Sequence, residues 1–368
     1  MGIANEKRIE ELLSKIDGKP DRNSIRSDFP GLSLHEAVEL KVLLINCSVE
    51  QAQESIKNSR QTLDFKTSLD DYVEAHQSTF SYADLHEDGW NLGDQKVLSL
   101  LEKLKNAGTP LGEFVDHKFY RGVLTGLNEA FVIDFETRAQ LIAEDPQSEK
   151  IIKPFLAGRD IKRYQQPKSD KFLILFEKGY TDKSRGKLDA EDWLKNTFPA
   201  IHQHLIPNKE AAAKRYDKGD YWWELRACDY YGEFVKPKII IPAIVKSASY
   251  TWDSEGFFSN DKTSIITGVE KYFLGILNSK AIDFYLKQIA STKQNGYFEY
   301  KPVYVSQLPI CNVNDDQKVL LEELVQKVLS AKAANPQQDT TEWEAEIDAL
   351  VYELYGLTAE DIAVVESA

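Results

Sequence analysis

The stretch KPKIIIPAIV (236–245) is a nearly unbroken apolar run rich in β-branched residues and punctuated by proline. Short, rich in β-branched residues and bounded by turn residues, it predicts a buried strand. KFLILF (171–176) reads the same way. Outward from these strands the periodicity changes. In Lys271–Ala290, Phe273, Leu274, Leu277, Ile282, Tyr285, Leu286 and Ile289 predict one continuous helix. Further on, Leu321, Leu324, Val325 and Val328, then Trp343, Ile347, Leu350, Val351 and Leu354 after the break at Asn335-Pro336, predict a helical hairpin. A short last helix follows Gly356-Leu357-Thr358. Ile9, Leu12, Leu13 and Ile16 mark an amphipathic helix ending near Gly18-Lys19-Pro20, residues 19–33 read as irregular, and residues 35–60 and 93–107 read as helical. The expected fold is α+β. A helical N-terminal region (1–88) and a C-terminal helical hairpin (313–368) flank a β-rich central region (89–312).

Bulk composition sets limits on function. The chain has 368 residues, 42% of them hydrophobic, and a formal charge of −14, which fits a folded protein and argues against a purely electrostatic nucleic-acid binder. That charge is unevenly placed. Residues 1–110 carry 13 cations and 19 anions, residues 111–310 carry 29 and 27, and residues 311–368 carry 3 and 13. Within the centre, residues 150–187 hold eleven Lys/Arg against four acids, so a basic segment lies between acidic shoulders. Nineteen of the forty aromatics fall between Tyr216 and Tyr304, as a β-rich core requires. Cys47, Cys228 and Cys311 are far apart with no CxxC spacing, which predicts neither disulfide framework nor zinc site and suits a reducing, cytoplasmic setting. No apolar run approaches the ~20 residues of a membrane span, so no membrane association is expected.

The usual catalytic kits are missing. Gly179 and Gly186 lie too far apart for a Walker loop, Lys187 is followed by Leu188, and neither GxGxxG nor GxSxG occurs. His202 and His204 have no third ligand nearby and read as the end of a surface helix. One pattern, Asp283 with Glu299 and Lys301, matches the D…ExK arrangement of metal-dependent nucleases. The plainer alternative makes Asp283 a solvent-facing helical residue and Glu299 an outward residue of a strand.

Five strings occur in order: YRGVLTGLNEAFVID (120–134), IIKPFLAGRDIKRY (151–164), WWELRACDYYGEFVKPKIIIPAI (222–244), FLGILNSKAIDFYLKQIAS (273–291) and GYFEYKPVYVSQLPI (296–310). Together they resemble the TaqI-like C-terminal specificity domain, the target-recognition part of adenine-specific DNA methyltransferases and of fused restriction-modification enzymes. The resemblance runs from about Trp90 to Ile310. It implies sequence-specific recognition of double-stranded DNA, with S-adenosylmethionine held by a catalytic domain or partner subunit. The family's Asn/Asp-Pro-Pro-Tyr/Phe loop binds a flipped adenine, yet none of the thirteen prolines here adjoins another. The glycine-rich cofactor loop is absent too. The expectation is therefore a recognition unit with no catalytic residues and no metal of its own. It would be a separate subunit, half of a split gene, or part of a longer protein, working with a methyltransferase in defence against phage. A rival reading makes the acidic flanks a DNA mimic that blocks a restriction enzyme.

DNA readers need Lys/Arg on phosphates and Arg, Asn or Gln on base edges. Lys153, Arg159, Lys162 and Arg163 are candidates for the first role, and Arg159 and Arg163 share a face if GRDIKRY coils. A string that recurs among proteins with different targets points to backbone contact or architecture rather than sequence reading. Arg121 and Asn128 are further contact candidates, while Gly122 and Gly126 read as architecture. Two polar loops are candidate readers: GYTDKSRGK (179–187), with Lys183 and Arg185, and STKQNGY (291–297), with Lys293, Gln294 and Asn295. An ordinary solvated loop would have the same composition.

Overall fold

In the computed structural model, residues 95–367 and Leu12 are described. In chain order the described strands are β1 (Thr109–Pro110), β2 (Phe119–Arg121), β3 (Val132–Asp134), β4 (Ile152–Leu156), β5 (Lys171–Ile174), β6 (Lys238–Pro242), β7 (Ile244–Val245), β8 (Thr251–Asp253), β9 (Phe258–Ser259), β10 (Thr263–Thr267), β11 (Phe298–Glu299) and β12 (Pro309–Ile310). Two four-stranded sheets carry the fold. One is antiparallel with order β2-β10-β6-β8, and the other has order β3-β5-β4-β9, with β4 and β9 parallel. With the helices around them they make an α+β fold, and the two expected buried strands are β5 and β6.

The central strand β6 explains why the isoleucine run 239–241 is unbroken. Ile239 and Ile241, with Ile266 of β10, point into one core, whereas Ile240 and Ile265 point into another. Successive side chains of a strand face opposite ways, so this sheet divides the two cores and needs apolar residues on both faces, the one charged residue of β6, Lys238, being buried against Asp253. All five residues of β6 are buried. The first core is built with helices and the second with the β3-β5-β4-β9 sheet.

The helical expectations divide. Gln95–Ala107, Asp315–Ala334, Thr341–Leu354 and Ala359–Glu366 are helices, the second and the last starting at the Asn314 and Thr358 capping boxes. Leu321, Leu324, Val325 and Val328 are buried against the first core, as their spacing predicts. The single helix expected over Lys271–Ala290 is instead two, Tyr272–Asn278 and Lys280–Ile289. Ser279 breaks it. Its backbone is extended (φ −64°, ψ 153°), and its hydroxyl donates to the Ile276 carbonyl (2.7 Å) while accepting from the Ile282 N–H. A serine cap beats helix continuation because it satisfies both helix ends at once. Beside it Asn278 bonds both backbone polar groups of Tyr250. The C-terminal helices pack closely on this pair: a Cβ at Gly275 would stand 2.9 Å from Val325 Cγ2. Residues 95–367 thus lie within one compact unit. The helices expected over 9–16 and 35–60 and the irregular stretch 19–33 fall, apart from Leu12, outside the described residues, as does Cys47. Cys228 and Cys311 are free thiols.

Candidate nucleic-acid interface

The turn Ser259–Thr263 is where the separated strings meet. Its own chemistry holds it: Asn260 Oδ1 accepts from the Lys262 N–H (3.1 Å), and the Asn260 carbonyl accepts from the Thr263 N–H (3.0 Å) and hydroxyl (2.7 Å). Backbone bonds then tie it to its neighbours. Val123 donates to Ser259 (2.7 Å), Gly122 to Thr263 (2.9 Å), Asn260 to Leu156 (2.9 Å) and Ala243 to Lys262 (2.9 Å), and Tyr300 donates to Ala243 (2.8 Å). Two glycines permit the approach. A Cβ on Gly122 would lie 1.8 Å from the Asn260 oxygen, and one on Gly158 2.8 Å from the Lys262 oxygen. YRGV, LAGRD, IIIPAI and FEYKPV are therefore held around one turn.

Beside that turn opens a cleft of about 400 Å³, lined in part by Arg121, Ile244, Asp261, Lys262, Glu299, Lys301 and Val303. Its carboxylates are shared. Asp261 accepts from Lys262 Nζ (2.7 Å) and Arg121 Nη2 (3.4 Å), and Glu299 pairs with Lys301 Nζ (2.5 Å) and Lys293 Nζ (3.5 Å). The acids lie inside and the cations outside: the side chains of Asp261 and Glu299 are 18% and 13% exposed, those of Arg121, Lys262 and Lys301 55%, 64% and 53%. The Lys301 ammonium holds the Glu299 carboxyl below its ordinary value. A cleft with shielded anions and an outer rim of cations can present donors to phosphate without leaving the cations unpaired when it is empty. Ile244 and Val303 add exposed apolar surface to it.

The expected basic segment does not form one face. Arg159 is exposed and Lys162 is exposed, but Arg163 turns inward, so Arg159 and Arg163 do not share a face. Only Gly158–Asp160 makes a helical turn; Ile161 is extended and Tyr164 is left-handed (φ 56°). Arg163 is spent on architecture, donating to Glu344 Oε2 (2.6 Å) and to the carbonyls of Asn278 (2.6 Å) and Ala248 (3.2 Å). Lys153 on β4 donates to the Lys150 carbonyl (2.8 Å). The segment 179–187, read as a loop, holds a short helix, Tyr180–Ser184. Glu224, fully buried, accepts from the Gly179, Thr181 and Asp220 amides and so fixes it. Arg185 donates to Asp182 (2.6 Å) and to the Leu188 carbonyl (2.7 Å), while Lys183 points outward. Asn128 is exposed, its Oδ1 accepting from Thr125 Oγ1 (2.5 Å). Lys293, Gln294 and Asn295 stand at the exposed tip of a tight turn, with Asn295 left-handed (φ 60°), closed by the Lys293 N–H on the Tyr297 carbonyl (2.6 Å).

The nuclease arrangement does not assemble. Asp283 is buried rather than solvent-facing; its Oδ1 accepts from the Ala248 N–H (2.7 Å) and the Tyr300 hydroxyl (2.5 Å), and its Oδ2 pairs with Lys287 (3.1 Å). Glu299 is engaged separately with Lys301 and Lys293. Among the described residues no three His, Cys, Asp or Glu side chains cluster to hold a metal. His202 and His204 do end a helix, Pro199–Leu205, but His204 Nε2 is buried. The reading from sequence missed Asp261 and Lys262; the signal was SNDKT (259–263), whose Asn-Asp pair marks a turn presenting a lysine.

Residues 153–310 match the TaqI-like C-terminal specificity domain, the family that the five strings resemble. No curated protein matches the chain. Among solved structures, the chain is similar to the type IIL restriction-modification enzyme MmeI, determined in complex with DNA. The identity is 15%, covering 68% of this chain and 35% of that one, with a TM-score of 0.48. It is also similar to the type IIG restriction endonuclease BpuSI, at 14% identity over 72% of this chain and 34% of that one, with a TM-score of 0.38. The chain spans about a third of the length of these two proteins. Among the described residues no helix is long and apolar enough to cross a membrane.

Proposed function

We propose that this chain recognises a specific sequence in double-stranded DNA as the target-reading part of a restriction-modification system, adenine methylation being carried out by a domain or subunit that binds S-adenosylmethionine. The observation that carries the reading is the convergence of the specificity-domain strings on the Ser259–Thr263 turn, beside a cleft rimmed by Arg121, Lys262 and Lys301. These three cations, with the exposed Arg159 and Lys162, are positioned to contact phosphates. Gln294 and Asn295, the exposed amides of the tight turn, have the paired donor and acceptor that adenine edges require. Lys183 and Asn128 remain candidate contacts, whereas Arg163, Arg185 and Lys153 already serve internal acceptors.

Selection tests this directly. The full chain, mixed with a pool of random duplexes at low salt, is expected to retard and enrich one sequence motif, with affinity falling steeply as salt rises. Failure to retard any duplex at low salt overturns the reading. Co-expression with an adenine methyltransferase chain is expected to protect that enriched motif against digestion.

A further inference from the structure

Away from the cleft, one side chain has no role in holding the fold. Tyr216 is 98% exposed, the most exposed of the large apolar side chains. Its neighbours are the opposite. Arg215 is buried, and its guanidinium donates to four backbone carbonyls: Ala212 (3.1 Å), Thr125 (2.5 Å), Trp222 (2.8 Å) and Glu224 (3.0 Å). It also lies 4.1 Å over the Phe131 ring. The turn is locked against residues 125–128 from the other side: Gly126 is left-handed (φ 68°), and a Cβ there would sit 3.2 Å from Asp217 Cβ and 3.4 Å from Arg215 Cδ. Beyond it Glu224 pins Asp220. An aromatic ring thus stands in solvent on a turn whose backbone is fixed at both ends, with exposed Asn128 at the start of the adjoining helical turn. Lys214 and Lys218 flank it, and neither has an ion-pair partner among the described residues.

We propose that Tyr216 stacks on a nucleobase at an unstacked step of the bound duplex, with Lys214 and Lys218 on the flanking phosphates. This rests on the DNA reading above. The turn that carries the ring is already fixed, so stacking orders only one side chain, and any base offers it a face, so the contact adds affinity without choosing sequence.

The test uses the full chain and the duplex it retards best. Tyr216→Ala is expected to weaken binding about thirtyfold, a middle value for loss of one base–aromatic stack, with the salt slope unchanged. Tyr216→Phe is expected to bind within about twofold of the unaltered chain, because stacking needs the ring and not the hydroxyl. Both should melt as the unaltered chain does, since the ring is exposed. Unaltered binding by Tyr216→Ala overturns this inference alone, and so does a Phe variant as weak as Ala. That first result also leaves the ring to a protein partner. Absence of any duplex binding by the unaltered chain overturns the DNA reading and this inference together.

Discussion

Arg163 donates through Nε to Glu344 Oε2 at 2.6 Å, joining the GRDIKRY string to the C-terminal hairpin across 181 positions. The same guanidinium satisfies the Asn278 and Ala248 carbonyls, so the specificity region and the hairpin share one polar joint. Asp348 adds to it by accepting from the Lys280 N–H (2.8 Å), at the start of the helix that follows Ser279. Deletion of the guanidinium would leave a carboxylate and two carbonyls short of donors. Arg163→Ala is expected to cost about 2 kcal/mol of stability, whereas Arg159→Ala, on an exposed side chain, should change it by less than about 0.5 kcal/mol. Urea unfolding of the two variants checks the contrast.

Gly122 and Gly158 test whether the Ser259–Thr263 turn is the organiser of the cleft. A Cβ on Gly122 meets the Asn260 carbonyl, which is itself held by the Thr263 N–H and hydroxyl, so the turn cannot yield without losing its own bonds. Gly122→Ala is expected to destabilise the chain by about 3 kcal/mol or prevent folding. Gly158→Ala should cost less, about 1–2 kcal/mol, since its contact is longer. Thermal melts in the order Gly122→Ala, Gly158→Ala, unaltered chain would establish the ranking.

Much of this scaffold was legible in the chain. The apolar runs III (239–241) and FLI (172–174) announced buried strands because consecutive apolar residues have no other economical use, and the i, i+3, i+4 spacing of Leu321, Leu324, Val325 and Val328 announced the packed face of a helix. What stayed hidden depended on partners distant in sequence. Alternation along a strand sends Ile240 away from Ile239 and Ile241, but nothing local says which distant elements build the core on each side. The break at Ser279 was masked because apolar spacing continues across it, while the decision lay with one hydroxyl and with Asn278 bonding Tyr250. The cleft shows the limit most clearly. Arg121, Asp261 and Glu299 come from three segments, and the cations that looked concentrated at 150–187 are partly consumed by Glu344, Asp182 and the Lys150 carbonyl.

Acid should loosen the fold through its paired glutamates. The Lys280 ammonium, then the Tyr352 hydroxyl, holds Glu366 below the ordinary value of 4.5; Lys209 does so for Glu191, and Lys236 with Thr267 for Glu233. A carboxyl whose folded pKa is depressed binds fewer protons folded than unfolded. Its contribution is present above the unfolded value and is lost as pH falls through the folded one. Asp348 acts in the opposite sense, since burial raises its carboxyl despite the Lys280 amide, so its ionisation opposes folding as pH rises. Melting temperature is therefore expected to fall as pH drops below about 4.5, and Glu366→Gln should make that fall shallower. An equally steep fall in the variant would remove Glu366 from the account.

The cleft's carboxylates predict a less obvious result than loss of binding. If Arg121, Lys262 and Lys301 each meet a phosphate, replacing all three by Ala should lower the dependence of log affinity on log salt by about 2.7, at 0.9 per phosphate. Asp261 shares its charge between Arg121 and Lys262 in the empty cleft. Those cations must leave it, or share it, to reach phosphate, so each contact is weakened by what the carboxylate retains. Asp261→Asn removes that competition for every duplex alike. It is expected to tighten binding to unrelated DNA several-fold while tightening binding to the selected motif less, because there the base contacts already fix the complex. The ratio of the two affinities, measured at one salt concentration, should fall. A ratio that stays constant would make Asp261 a support for the turn and nothing more, and a salt slope unmoved by the triple variant would take the phosphates elsewhere.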